Sequence, residues 1–196
     1  MSGIDIALNF ASRSNFFTWV IMIWLSIYFI ITFGILFGRY MYLTHWLSIE
    51  KHSLESMLMG ARNVGERSIL RKCSNTAGNC SEKLLNVCKN VAEKNATGGL
   101  WMLSIIASTA PFIGLFGTVV SILETFSGLG QSGSASLGVI APAISEALVA
   151  TASGIFVAIP AYSANLFLRR KAYEVIVYVQ REVDILLSAS EQKSEM

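Results

Sequence analysis

The sequence predicts an all-α membrane protein, with three transmembrane helices and a helical segment between the first two that stays on one side of the bilayer. Three observations carry that. Apolar residues make up 53% of the 196 and charged residues only 14%, where a soluble domain holds roughly a quarter charged. The apolar residues gather in three runs, Phe16 to Phe37, Leu100 to Leu123 and Leu137 to Leu168. Each is long enough to cross a hydrocarbon core of ~30 Å, which takes ~20 residues of helix. The basic residues then sort by side: of 15 Lys and Arg, Arg13 alone precedes the first run, nine lie between Arg39 and Lys94, none lies between the second and third runs, and five come after Leu168. By the positive-inside rule the N-terminal tail lies outside, residues 39–99 inside, the loop after span two outside and the C-terminus inside.

In chain order, residues 1–15 form an outer tail with one Asp and one Arg, easily translocated. Span one, 16–38, is bulky (Trp19, Ile23, Trp24, Phe29) and reads as lipid-facing; its Thr18, Ser26 and Thr32 can bond their own backbone. Its length exceeds the 7–15-residue apolar core of a signal peptide. Arg39 and an aromatic cluster suited to a headgroup boundary come next in the chain, rather than a cleavage site. Within 39–99 the clearest helix is 81–92, with Ser81 as N-cap and Leu84, Val87, Cys88 and Val91 at helical spacing. The "SNTAGN" before it reads as a turn, and the glycines of "TGG" loosen the chain before span two. Span two is 100–126, an outer loop 127–136, and span three 137–168, too long for the bilayer unless tilted or projecting inward. Residues 169–196 are an inner tail.

The three cysteines, Cys73, Cys80 and Cys88, fall in the inner segment, where a reducing compartment disfavours disulfides. They are expected only to pack, and their spacing from His45 and His52 fits no zinc pattern. No cofactor, metal site or catalytic constellation is expected, so the chain reads as a non-enzyme.

Polar residues inside the spans are the functional candidates. Thr109 and Thr118 lie in span two; Ser145, Glu146, Thr151 and Ser153 lie in span three. A lone Ser or Thr in a membrane helix usually bonds the carbonyl one turn back, a structural role. Glu146 is different, because a carboxylate at helix centre costs ~2.5–3.5 kcal/mol on insertion scales, and such residues face a cavity or a partner. No cation in the spans can pair with it. Pro111, Pro142 and Pro160 each remove a helical hydrogen bond and tend to kink. Gly114, Gly117 and Gly154, with Ala143, Ala147, Ala150 and Ala158, suit close helix approach.

"APFIGLFGTVVSI" (110–122) and "IAPAISEALVATASGIFVAIPA" (140–161) resemble the ExbB/TolQ/MotA family of ion-driven inner-membrane motor subunits, most closely its ExbB and TolQ branches. The order of one span, an inner segment and two further spans resembles it too. The resemblance implies a homo-oligomeric, pentameric ring in the bacterial inner membrane, multi-pass, with its N-terminus periplasmic and its C-terminus cytoplasmic. Within it would sit a single-span ExbD- or TolR-like partner carrying an aspartate. The work would pass to a TonB- or TolA-like envelope-spanning protein. The family's intramembrane glutamate falls on Glu146 and its pore threonines on Thr118 and Thr151; Pro111 and Pro160 match its prolines. Ala143 and Ser145 stand where glycine and alanine are common. The ion implied is the proton, with sodium as the alternative. The implied function is conversion of proton motive force to energise TonB-dependent outer-membrane transport. Two alternatives stand beside it: a TolQ-like subunit acting in envelope constriction, and, in another class, a passive membrane scaffold.

Overall fold

In the computed structural model the chain is all helix among the residues described, which are 16–59, 65, 68–71, 82–132 and 137–194. Helix α1 spans Phe16–Leu58, α2 Glu82–Thr97, α3 Leu100–Ser132 and α4 Leu137–Ser194. Three helical runs are long and apolar enough to cross a membrane: α1, α2 with α3, and α4. The expected tail at 1–15, the N-cap at Ser81 and the turn at 74–79 lie outside the described residues.

Helices outrun the apolar runs. α1 continues through the expected boundary at residue 38, α3 through the first residues of the expected loop, and the expected tail after 168 is helix to Ser194. The end of a membrane-compatible composition is no helix stop signal. What continues α1 and α4 is a second apolar seam at heptad-like spacing: Leu43, Trp46, Leu54 and Met57 on α1, and Leu168, Ala172, Val175, Val179 and Val183 on α4, all buried.

The chain divides into two compact units. The first comprises residues 1–34 and 102–164. Its core is Ile21 and Leu25 of α1, Ile106 and Ala110 of α3, and Val157, Ala158 and Ala161 of α4, with Phe29 stacked on Phe156 at 5.7 Å. Ser26 and Thr32 donate to the carbonyls of Met22 and Tyr28, one turn back. Large apolar side chains such as Phe112, Phe116 and Phe156 point outward, as they do in a helix bundle solvated by lipid.

The second unit comprises residues 35–101 and 165–196. Its α2 buries Leu85, Cys88, Ala92 and Ala96 while Val87 and Val91 are exposed. The buried stripe is thus rotated from the expected one and shares only Cys88 with it. Ala92 and Ala96 are small enough to let the helix seat closely, so contact follows the small face rather than the β-branched one. Cys88 is disulfide-bonded, contrary to the expectation of packing alone. Cys73 and Cys80 lie outside the described residues.

The break between α2 and α3 falls at Gly99, whose φ of 78° is the left-handed conformation that ends helices. Arg39 of α1 closes that end, its Nη2 donating to the carbonyls of Asn95 and Ala96 at 2.7 Å each. A cation on the last carbonyls of a helix also meets the negative end of its dipole. Arg39 therefore serves as a cap for α2 in addition to any contact with headgroups.

Candidate functional site

The site lies on the seam between antiparallel α3 and α4 in the first unit, and glycine makes it. A Cβ on Gly114 would stand 2.7 Å from the Ala150 carbonyl oxygen and 3.1 Å from the Cα atoms of Thr151 and Gly154. One on Gly154 would stand 2.6 Å from the Ala110 oxygen and 3.0 Å from Gly114 Cα. Backbone meets backbone here, the close approach that small residues permit between membrane helices. Gly117 is next along, where a Cβ would press on Ile21 of α1 at 3.0 Å and on Ala150 at 3.2 Å. Ala147 and Ala150 are fully buried on the facing stripe.

That closeness brings Thr118 and Thr151 together. Their hydroxyls are in direct hydrogen-bond contact. Thr118 Oγ1 also lies 3.0 Å from the Ala147 carbonyl across the seam and 3.3 Å from its own Gly114 carbonyl. Thr151 Oγ1 reaches back to the Gly114 carbonyl at 3.3 Å. Each hydroxyl thus touches the carbonyl one turn before the other threonine. Two hydroxyl protons serve these contacts, and two arrangements that use the Thr118–Thr151 contact and a carbonyl across the seam complete the network. In one, Thr118 donates to the Ala147 carbonyl and Thr151 donates to Thr118. In the other, Thr118 donates to Thr151, which donates to the Gly114 carbonyl. They differ only in the direction of the chain of donors, a degeneracy on which a hydroxyl relay depends.

The remaining candidates are less engaged with the seam. Glu146 is half-buried on α4, one residue before Ala147, and is not among the partners of the two hydroxyls. Ser153, seven residues on and hence on the same face as Glu146, donates to the Val149 carbonyl at 2.8 Å. Thr109 donates to the Ile105 carbonyl at 2.8 Å. Both make the one-turn-back bond of an ordinary membrane helix. Ser145 and Pro142 are exposed, and Ala143, Pro111 and Pro160 are half-buried; all three prolines lie inside helices. Sequence reasoning passed over Glu124, a half-buried carboxyl on α3 six residues beyond Thr118. Its signal was present, an acid in the apolar "SILETF", but it stands just past the end of the apolar run at Leu123. Among the described residues no cluster of His, Cys, Asp and Glu could hold a metal ion.

Comparison with known proteins bears on what this threonine pair is for. Residues 60–181 match the model of the MotA/TolQ/ExbB proton channel family. The chain belongs to this family. A Helicobacter pylori protein named ExbB-like 1 is 47% identical over 186 residues, covering 94% of this chain and 98% of its own. The Neisseria gonorrhoeae biopolymer transport protein ExbB is 56% identical over 60 residues, 31% of this chain and 27% of its own length. The Tol-Pal system protein TolQ of Pseudomonas aeruginosa is 43% identical over 76 residues, 39% of this chain and 33% of its own. The family resemblance read from "APFIGLFGTVVSI" and its companion motif is thereby established. The family match spans α3, most of α4 and the threonine pair.

Proposed function

We propose that this member of the MotA/TolQ/ExbB family is the ExbB-like, non-enzymatic ion-conducting subunit of a bacterial inner-membrane motor. In this reading several copies, five by family resemblance, form a ring around a single-span ExbD- or TolR-like partner. Proton motive force turns or shifts that partner, and a TonB-like envelope-spanning protein carries the work to outer-membrane transport. In this reading the N-terminus is periplasmic and the C-terminus cytoplasmic, which the distribution of Lys and Arg supports.

The observation that supports the reading most is the paired hydroxyls of Thr118 and Thr151, whose donor chain can run either way. A proton moving down a potential releases ~2.3 kcal/mol per 100 mV. A polar path inside the bilayer is required to collect that energy, and hydroxyls supply one without the cost of a buried charge. Glu146 offers the partner a carboxyl at the flank of the same seam. The ExbB-like relative matched along nearly its whole length favours the ExbB branch over TolQ.

The test uses the full chain co-expressed with its single-span partner and reconstituted in vesicles. Thr118→Val and Thr151→Val keep shape and remove hydroxyls. Each should abolish proton flux under an imposed potential, and growth on a large iron chelate, with the oligomer still isolable. Wild-type flux in both variants would sink the relay assignment. A closed oligomer that excludes every single-span partner would sink the motor reading and leave the passive scaffold.

A further inference from the structure

A second polar centre lies in the other compact unit, beyond Arg169 and Arg170, where the apolar part of α4 has ended. On the buried seams of α1 and α4 in that unit, one position on each helix is acidic: Glu50 on α1, between Trp46 and Leu54, and Glu182 on α4, beside Val183. Both side chains are completely buried, at 0% exposure. Glu50 Oε1 accepts the Trp46 indole N–H at 2.7 Å and the Ile69 amide at 3.1 Å. Glu182 Oε2 accepts the Ser68 hydroxyl at 3.1 Å. The second oxygen of each, Glu50 Oε2 and Glu182 Oε1, is buried without a partner.

Among the described residues, the charged side chains on the elements around this pair are exposed or partly exposed. On α1, Lys51, His52 and Glu55 are exposed, the carboxylate meeting its two neighbours at 4.0 and 3.6 Å. On α4, Arg181 and Asp184 are exposed; Arg71, on the short segment, and Lys89 and Glu93, on α2, are partly exposed. Among the described residues no cation acts on Glu182. Burial first, and the Glu50 charge second, push its carboxyl up to about 7, against a smaller opposing pull from the hydroxyls of Ser53 and Ser68. Two carboxylates buried together without a cation do not both ionise readily, and their protons come off as those of a pair.

We propose that Glu50 and Glu182 are a proton-binding pair, one proton between two carboxyls, that latches the segment at residues 68–71 onto the bundle and releases it when the proton is lost. Glu50 Oε1 already accepts two N–H donors, from Trp46 and Ile69. Glu182 keeps the proton and supplies the donor that the orphaned oxygens lack. The latched segment is held by these groups in particular. The Ile69 amide sits on Glu50, the Ser68 hydroxyl on Glu182, the Leu70 amide on Ser68 Oγ at 3.3 Å, and Leu70 is buried at 1% exposure. Gly65 adds a fastening, its amide donating to Ser53 Oγ at 3.0 Å. Loss of the proton leaves two negative charges in the seam, and opening the segment is the path by which water reaches them. The pair stands in different residues from the Thr118–Thr151 network, so it does not depend on the chain conducting ions.

The test uses the purified full-length complex between about pH 5 and about pH 8.5, spanning the ordinary carboxyl range and 7. Hydrogen exchange at the amides of Ile69 and Leu70, corrected for the intrinsic rate, should show protection falling by up to about tenfold per pH unit and levelling off above 7. Infrared difference spectra should show a protonated-carboxyl band lost over the same range. Glu182→Gln should abolish both titrations and keep the segment protected. Glu50→Gln should move the band's loss to lower pH, because it removes the neighbouring charge. Protection independent of pH in the wild type, or the same titration persisting in Glu182→Gln, would overturn the proposal. Should Glu182→Gln fail to fold, the wild-type titration and the Glu50→Gln shift decide alone, and an unshifted band in Glu50→Gln refutes the pair.

Discussion

Gly154→Ala tests whether the site exists because two helices touch by backbone. The new Cβ would stand 2.6 Å from the Ala110 oxygen, 3.0 Å from Gly114 Cα and 3.2 Å from Gly114 N. None of these atoms belongs to a flexible side chain, so α3 and α4 must part. Overpacking of this kind costs ~1–3 kcal/mol. Parting also stretches the 3.0 Å bond from Thr118 to the Ala147 carbonyl, and each lost hydrogen bond removes ~0.5–1.5 kcal/mol. Against this stands the gain of ~1 kcal/mol from alanine over glycine in a helix. The sum is a destabilisation of roughly 1–3 kcal/mol. Gly34→Ala is the control, since a Cβ there meets nothing within 4 Å, and only the propensity gain of up to ~1 kcal/mol remains. Unfolding of the detergent-solubilised chain by increasing SDS fraction, monitored by circular dichroism, gives both free energies. Proton flux in vesicles should fall in Gly154→Ala and hold in Gly34→Ala. If Gly154→Ala is as stable as Gly34→Ala, the seam is looser than its glycines imply, and the contact between the Thr118 and Thr151 hydroxyls loses its structural cause.

Other contacts carry their own expected outcomes. Glu146→Ala should impair energised function with the complex still isolable, and Glu146→Gln should be milder because it keeps hydrogen bonding; loss of the oligomer in both would make the glutamate structural. Arg39→Met frees the Asn95 and Ala96 carbonyls and should destabilise α2 by roughly 1.5–3 kcal/mol, as for hydrogen bonds to a charged donor; Arg39→Lys should recover part, and hydrogen exchange within α2 reads the difference. The raised carboxyl of Glu182 makes folding stability fall as pH rises from the ordinary carboxyl range to about 7 and level off above it, because the folded chain holds a proton that the unfolded one has released. Thermal unfolding midpoints in buffers of matched ionic strength check the sign, and Glu182→Gln should flatten the profile.

The membrane-crossing character was legible because it depends on composition, which a linear sequence displays directly. Helix ends were not legible, because the second seam through Leu43, Trp46, Leu54 and Met57 begins before the first run's influence has faded. The threonine pair was legible only through the family motif. Thr118 and Thr151 are 33 residues apart, and nothing in periodicity says which turn of α3 faces which turn of α4. The glycines give the register: Gly114 and Gly154 fix Thr118 against Ala147 once the helices are antiparallel. Glu50 and Glu182 had a signal that went unused. Each interrupts an apolar seam at a position where the spacing asks for a hydrophobic residue, and such an acid is either partnered or a site.

The two polar centres use different chemistry for a physical reason, and both are built on inward-facing positions of α4. At the first, the helices approach so closely that glycine is required, and water has no room between them. A permanent polar group there must find its partners in the two backbones. Hydroxyls do so, since each can give a proton to a carbonyl and still accept one. A carboxylate in the same place would face an insertion cost of ~2.5–3.5 kcal/mol; Glu146 is half-buried one residue before Ala147. At the second centre the seam is lined by larger side chains, Trp46, Leu54, Val179 and Val183, and a short segment closes it. A segment can leave where a packed helix cannot, so carboxyls can be hydrated and their ionisation can do work. On the function proposed above, the first arrangement would pass a proton without changing charge, and the second, as proposed, would change charge when its proton leaves. Replacing the hydroxyls by carboxyls, as in Thr151→Glu, should therefore cost assembly of the seam itself, whereas Val179→Glu beside the second centre should raise the pH sensitivity of the segment at residues 68–71.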